Sequence, residues 1–430
     1  MKKINFIASG DSFITRSLPD CGYPGFREIR DLISQNDVAF NNLEMTFHNM
    51  EGAPAAESGG TWAMTEPGRL DDIASYGFNI FSTANNHSGD YGEGGITATI
   101  RHLRERNMVF SGTGNNLHEA SRACYLELPE ARIGMVSASS TCSVSSMAGP
   151  QNGSVPGRPG LNPLRFSTTY HVTREYYDMV KNLSDITHVN AFRDYGISIG
   201  YLSPNPEGQR SFGRHLFKLD NENKVCTAPL PLDMDRIEDE VREMLRQADV
   251  GLVSLHVHEP KADDPAIAPE FMEIAARRCI DAGARVVIGH GPHEMRGVEF
   301  YNGGLILYSL GNFIFQTETI GVQPYDAFYS KGLPGDTKIG EYMLRRSKND
   351  TSGYPTLENI WRSVLCGWTL EEDRITEVRF YPITLGFGQK MSKRGTPSLS
   401  YDDGTLEYLD SLSRPYGCKI RIKDHIGYLS

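Results

Sequence analysis

Hydrophobic positions in the first third of the chain fall into short runs separated by stretches of helical periodicity. "INFIASG" is a run of strand type, "FREIRDLISQ" spaces its apolar residues for a helix, and "DVAFNNLEM" is strand-like again. "PGRLDDIASYG" carries Pro67 near a helix start and Gly77 at its stop. "FNIFSTANN" predicts a strand, and "GGITATIRHLRERN" predicts a helix with Ile96, Ile100 and Leu103 on one face. The rhythm resumes after "LPLD" with the helix "MDRIEDEVREMLRQA", the strand "DVGLVSLHV", the helix "EFMEIAARRCIDAG" and the strands "ARVVIGH" and "GLILYSLGNFIF". Such a βαβα order predicts an α/β fold with helices covering the faces of its sheet.

Two regions break the rhythm. "SSTCSVSSMAGPQNGSVPGRPGLNPLRF" is rich in Ser, Gly and Pro and has no period, so residues 140–170 are expected to form an irregular insert near the site. The helix "TREYYDMVKNLS" follows it. Beyond residue 320 the pattern is less regular, although "SVLCGWTLEEDRITEVRFYPITL" reads as a β-hairpin turning at "EEDR". The expected division is one domain over residues 1–320, with a C-terminal extension over 321–430 that packs its hairpin on the same domain.

Composition narrows the function classes. With 39% hydrophobic and 23% charged residues in 430, the chain is of ordinary globular type and long enough for a large core. A formal net charge of −11 argues against a nucleic-acid partner but not against an anionic small molecule, because a bound cation reverses the local field. The seven cysteines (Cys21, Cys124, Cys142, Cys226, Cys279, Cys366, Cys418) contain no C-x-x-C pair, which favours reduced thiols over a disulfide framework. The apolar stretch of "MKKINFIASGDSF" meets Asp11 too soon for a signal-peptide core, and no run is long enough to span a bilayer. A cytoplasmic protein is expected; whether it forms a homo-oligomer is left open.

The candidate chemistry sits at strand ends, where open α/β sheets collect their ligands. Asp11 closes "FIASGD", Glu44 closes "FNNLE", Asn86 and His87 close "FSTANNH", His256 closes "LVSLH" and His290 closes "VVIGH", with His293 one turn later. Each has an ordinary alternative: Asp11 as a helix cap, Glu44 as an exposed charge, Asn85 and Asn86 as turn residues, His256 and His258 as hydrogen-bonded core histidines. Five strand ends with ligand chemistry point instead to a shared cation. Carboxylate, amide and imidazole donors suit Mn²⁺, Zn²⁺ or Fe²⁺, one ion or two, and a bridging carboxylate could hold a pair roughly 3.5–4 Å apart around an activated water. His87 is placed to protonate a leaving group. Asp90 could orient it or cap the next helix. Arg158 and Arg165 in the insert are candidates to bind a substrate carboxylate or phosphate.

Together, "GDS", "NNLE", "ANNHSGDYGEGG", "SLHVHE" and "GHGPHEMRGVEFYNGGLILYSLGNFIF" resemble the CapA-type poly-γ-glutamate capsule-biosynthesis family, which is related to calcineurin-like metallophosphoesterases. The resemblance runs over about residues 4–320. It implies a four-layer α/β/β/α sandwich with a dinuclear centre: Asp11 and His293 on one metal, Glu44 bridging, Asn86, His256 and His290 on the other, and His87 as the acid. Two departures stand out. Phe13 occupies the place of a ligand histidine in calcineurin-like enzymes, and Glu44 replaces a shorter bridging aspartate. A third is "HVHE", in which His258 becomes an extra ligand or a substrate contact. The implied activity is hydrolysis of a phosphoester or a γ-glutamyl amide. The alternative is a non-catalytic, metal-stabilised accessory protein that binds a γ-glutamyl polymer or a synthetase.

Overall fold

The computed structural model describes residues 3–19 and 22–430; Met1, Lys2, Asp20 and Cys21 lie outside the description. Two large mixed sheets form its body. The first is built around Ile4–Phe13, which pairs in parallel with Val38–Leu43, and continues through Ile80–Ser82 to Val109–Ser111. On its other side the antiparallel hairpin Arg362–Glu371 and Arg374–Thr384 adds to Ile4–Phe13, followed by Ile426–Leu429 and Ile420–Lys423. The hairpin turns on Glu372 and Asp373, both at positive φ, the signature of a two-residue turn matched to strand twist. In the second sheet Arg132–Ser139, Val250–His256, Val286–His290 and Gly304–Leu310 run parallel, with antiparallel edges Cys124–Glu127 and Met295–Tyr301.

Strand alternation explains how these sheets are buried. Phe6, Ala8, Val38 and Phe40 of the first sheet share one core cluster with Met135, Leu252, Val286, Ile288 and Leu307 of the second. The intervening Ile7 and Ala39 face a separate cluster with Ile29, Ile33, Leu70 and Ile73 from the helices Phe26–Ser34 and Gly68–Ala74. On the second sheet Val253, Leu255 and Val287 meet Met234, Ile237, Val241, Phe271 and Ala275 from the helices Pro231–Leu245 and Glu270–Asp281. The result is a mixed α/β fold with helices packed against both sheets.

Two sequence expectations change. "GLILYSLGNFIF" is not one strand: Gly304–Leu310 lies in the second sheet, and Asn312–Phe315 crosses to pair with Ile4–Phe13 in the first. Gly311, at φ 78°, makes the crossing, where a side chain would strain the backbone. The region after the irregular insert is also more than a helix. Phe166–Val172, Gln209–Phe212, His215–Leu219 and Lys224–Pro229 make a separate four-stranded sheet carrying the helices Arg174–Thr187 and Ala191–Ser198. Its strands are short and only half-buried, so their alternation is weak in the sequence.

Candidate metal centre

The two sheets pack face to face, and the candidate side chains lie at the carboxyl ends of strands from both, where they meet across the seam. His256 and His290 end neighbouring parallel strands and are direct register partners. Asp11 is in register with Asn42 on one side and Asn312 on the other. Close backbone approach holds Asp11 there: its N–H donates to the Gly311 carbonyl at 3.1 Å, and a Cβ on Gly10 would lie 1.7 Å from that same oxygen. Only glycine fits at position 10. His293 sits at φ 63°, a left-handed conformation uncommon for a non-glycine residue and a frequent mark of functional sites.

Asp11, Glu44, Asn86, His256, His258, His290 and His293 converge. Asp11 Oδ1 lies 3.6 Å from His290 Nδ1 and 3.8 Å from His256 Nδ1, and Glu44 Oε1 lies 3.5 Å from His258 Nε2 and 3.7 Å from His256 Nε2. His293 Nδ1 stands 3.6 Å from Glu44 Oε2 and 3.9 Å from Asp11 Oδ2. Asn86 Oδ1 is 2.8 Å from His256 Nε2, while its amide nitrogen donates to the Gly59 carbonyl. Three overlapping sets have metal-ligand spacing: Asp11, His256 and His290; Glu44, His256 and His258; Asp11, Glu44 and His293.

The donor set fits a divalent cation. Both carboxylate oxygens of Glu44 are fully buried with no hydrogen-bond partner, an arrangement that costs several kcal/mol unless a positive charge offsets it. Burial raises Asp11 to about 7 against the opposing hydrogen bonds from Asn42 and Gly291. Burial, then the nearby charges of Asp11 and Asp90, raises Glu44 well above the carboxylate range. Burial pushes His290 and His293 down to about 3. His256 and His258 are also held well below the usual imidazole value, first by burial and then by neighbouring imidazoles. At neutral pH the imidazoles are therefore neutral lone-pair donors, while burial favours protons on the carboxyls that a bound cation would displace. His256 Nδ1 faces His290 Nδ1 at 2.8 Å, and His256 Nε2 faces His258 Nε2 at 3.0 Å; paired ring nitrogens of this kind need a proton or an ion between them.

His87 and Asp90 form a second element of the site. His87 Nδ1 is 2.7 Å from Asp90 Oδ2, and Asp90 also accepts from the backbone N–H groups of Gly59 and Ala63. The following helix, Gly92–Glu105, takes no side-chain cap from Asp90, so that carboxylate orients His87 instead. Phe13 is buried edge-on against the His87 ring, 5.4 Å between centroids. The position that departs from the calcineurin-like pattern thus supplies an apolar wall.

The two arginines are engaged elsewhere. Arg165 pairs with Asp233 through Nε at 2.7 Å and Nη2 at 2.9 Å, and exposed Arg158 donates to the Met147 carbonyl. Neither contacts the convergent side chains. Several residues around the centre escape the sequence pattern. Ser254 Oγ lies 2.6 Å from His290 Nε2, which leaves Nδ1 turned toward Asp11. Asn312 Oδ1 lies 3.0 Å from His293 Nδ1, and its amide nitrogen donates to the His293 carbonyl. Tyr354, from the aperiodic tail, packs edge-on against His293 at 5.5 Å, and burial together with the Glu44 charge raises its phenol. Asn312 stands inside a recognised motif, so register could have found it. Tyr354 carries no sequence signal. The six described cysteines are unpaired, and Cys21 lies outside the description. No helix among the described residues is long and apolar enough to cross a membrane.

The model described as bacterial capsule synthesis protein PGA_cap matches residues 5–317. The protein y4sH of Sinorhizobium fredii is 31% identical over 98% of this chain and 92% of its own length. The PGA biosynthesis protein CapA of Bacillus subtilis is 37% identical over 20% of this chain and 22% of its own. The capsule biosynthesis protein CapA of Bacillus anthracis is 22% identical over 56% of this chain and 41% of its own.

Proposed function

The chain belongs to the bacterial capsule synthesis protein PGA_cap family, and from that premise we propose that it is a metal-dependent hydrolase acting on a phosphoester or a γ-glutamyl-type amide. The observation that carries this reading is the orphaned, fully buried Glu44 carboxylate ringed by His256, His258 and His293. Two facing sheets with helices outside them also fit the four-layer α/β/β/α sandwich of calcineurin-like metallophosphoesterases.

Asp11, Glu44, Asn86, His256, His290 and His293 would hold the metal, with His258 close enough to join them. One or two divalent ions bound there would polarise the scissile group and lower the pKa of a water to supply a nucleophile at neutral pH. The chain's own residues complete the reaction. Asp90, anchored by Gly59 and Ala63, fixes His87 through Nδ1 and leaves Nε2 as the ring nitrogen it does not engage. From there the imidazole delivers a proton to the leaving oxygen or nitrogen. Phe13 and Phe315 keep apolar surface beside the histidines, and Tyr354 closes the side next to His293. A γ-glutamyl amide and a phosphoester present the same demands, an anionic substrate and a protonated leaving group, so both remain within the proposal.

The test is turnover by protein loaded separately with Mn²⁺, Zn²⁺ or Fe²⁺, on a chromogenic phosphodiester and on a γ-glutamyl anilide. We expect metal-dependent cleavage of at least one substrate and a loss of about 100-fold or more in His87→Ala with metal content retained. Metal-loaded protein that cleaves neither substrate would leave the accessory-protein reading in its place.

A further inference from the structure

The small sheet spanning Phe166–Pro229 carries two helices whose outer faces are apolar. On Arg174–Thr187 the half-buried Tyr177 and Val180 and the buried Ser184 lie over the sheet, yet Tyr176, Met179, Leu183 and Ile186 continue the apolar surface outward. Those four follow helical spacing, so they form a stripe adjoining the buried one. The helix is apolar over about half its circumference, and the sheet covers only part of that. Ala191–Ser198 repeats the arrangement with Phe192, Tyr195 and, just beyond it, Ile199. Phe192 is 89% exposed, Tyr201 85% and Ile186 77%.

The two helices form one rigid unit. Three residues join them, and buried Asn190 donates to Ser184 Oγ and to the Ser211 carbonyl while accepting from the Gly213 N–H. Ile186, Val189, Phe192 and Tyr195 follow one another across the corner at three-residue steps, all of them exposed. Leu202 folds back against Gly196 and extends it.

We propose that this face is the interface through which two copies of the chain pair. The exposed parts of the apolar side chains between Tyr176 and Leu202 amount to on the order of 1,000 Å², against about 800 Å² per partner in a standard stable interface. That much contiguous apolar surface is unusual on a protein that stays alone in water. The charges between 174 and 202 are nearly balanced, with Arg174, Lys181 and Arg193 against Glu175, Asp178, Asp185 and Asp194. A molecule of net charge −11 thus has a near-neutral face where a second copy meets little repulsion. The same balance disfavours an anionic membrane surface, which attracts clustered Lys and Arg. A two-fold axis brings identical stripes together, as in most homodimers.

Sedimentation velocity on the full chain at about 10 µM, where a micromolar interface is well populated, tests the pairing. The expected result is a species of about twice 47.8 kDa, converted to the monomer in Ile186→Asp/Phe192→Asp. Circular dichroism and metal content unchanged in the variant establish that it remains folded. A monomeric parent chain, a dimer that survives both substitutions, or a parent chain found monomeric and bound to phosphatidylcholine vesicles would each overturn the proposal.

Discussion

The seam between the large sheets and the outer face of the small one depart from the usual distribution of polarity in opposite directions. At the seam, carboxylates, amides and imidazoles are buried, and Glu44 has no partner for either oxygen. On the outer face, Ile186, Phe192 and Tyr201 stand in water. Each departure is unfavourable for the isolated chain, and each identifies by its chemistry what is missing: a cation in the first case, a matching apolar surface in the second. The contrast also separates two kinds of importance. Substitutions at the seam should act on metal and reaction, and those on the outer face on assembly.

The largest effect is expected from His290→Ala. It removes a donor aimed at Asp11 and leaves Ser254 without its ring partner. Bound metal measured by elemental analysis should fall to background, together with any turnover. Full metal content in that variant would break the comparison at its stronger side.

The next effect is a pH dependence with a definite sign. Asp11 without metal is raised by burial to about 7, whereas His290 and His293 are lowered to about 3. Between pH 7 and pH 5 the imidazoles stay neutral while Asp11 takes up a proton that an incoming ion must displace. Metal affinity should weaken as pH falls below 7, by at least about tenfold per pH unit for the proton displaced from Asp11, with the proton that burial keeps on Glu44 adding its own displacement. Isothermal titration in buffers of different ionisation enthalpy reads both the affinity and the proton released. Affinity that is flat from pH 5 to 8 would contradict the burial of Asp11.

The smallest effect is expected on the outer face. Ile186→Asp alone should change the denaturant midpoint of the monomer by no more than about 0.5 kcal/mol equivalent, because the side chain already lies in water. A large loss would mean that this surface packs inside the chain.

The sequence made the seam legible because parallel strands put their last residues at one edge. Asp11, Glu44, Asn86, His256 and His290 can therefore be grouped without knowing the strand order; in the structure Asp11, His256 and His290 share one set of ligand spacing, Glu44 shares another with His256, and Asn86 Oδ1 lies 2.8 Å from His256 Nε2. Less legible was what depends on tertiary register. Ser254 is one more alternating residue in a buried strand, and Tyr354 reaches His293 from a tail with no period at all. Arg158 and Arg165 were grouped with the site by their nearness in sequence to the irregular insert, and the structure gives them other partners in Met147 and Asp233. The split of "GLILYSLGNFIF" is not legible because an apolar run does not reveal a change of sheet; only Gly311 marks it. The small sheet is not legible because its strands bury too little to show a clean alternation.

Metal stoichiometry of the purified, undialysed chain is the most direct test of the buried cluster. Inductively coupled plasma mass spectrometry should find one to two divalent transition-metal ions per chain, and none in a double variant Asp11→Asn/Glu44→Gln that retains its fold. A folded parent chain that carries no such ion, and takes up none when dialysed against Mn²⁺, Zn²⁺ or Fe²⁺, would contradict the account.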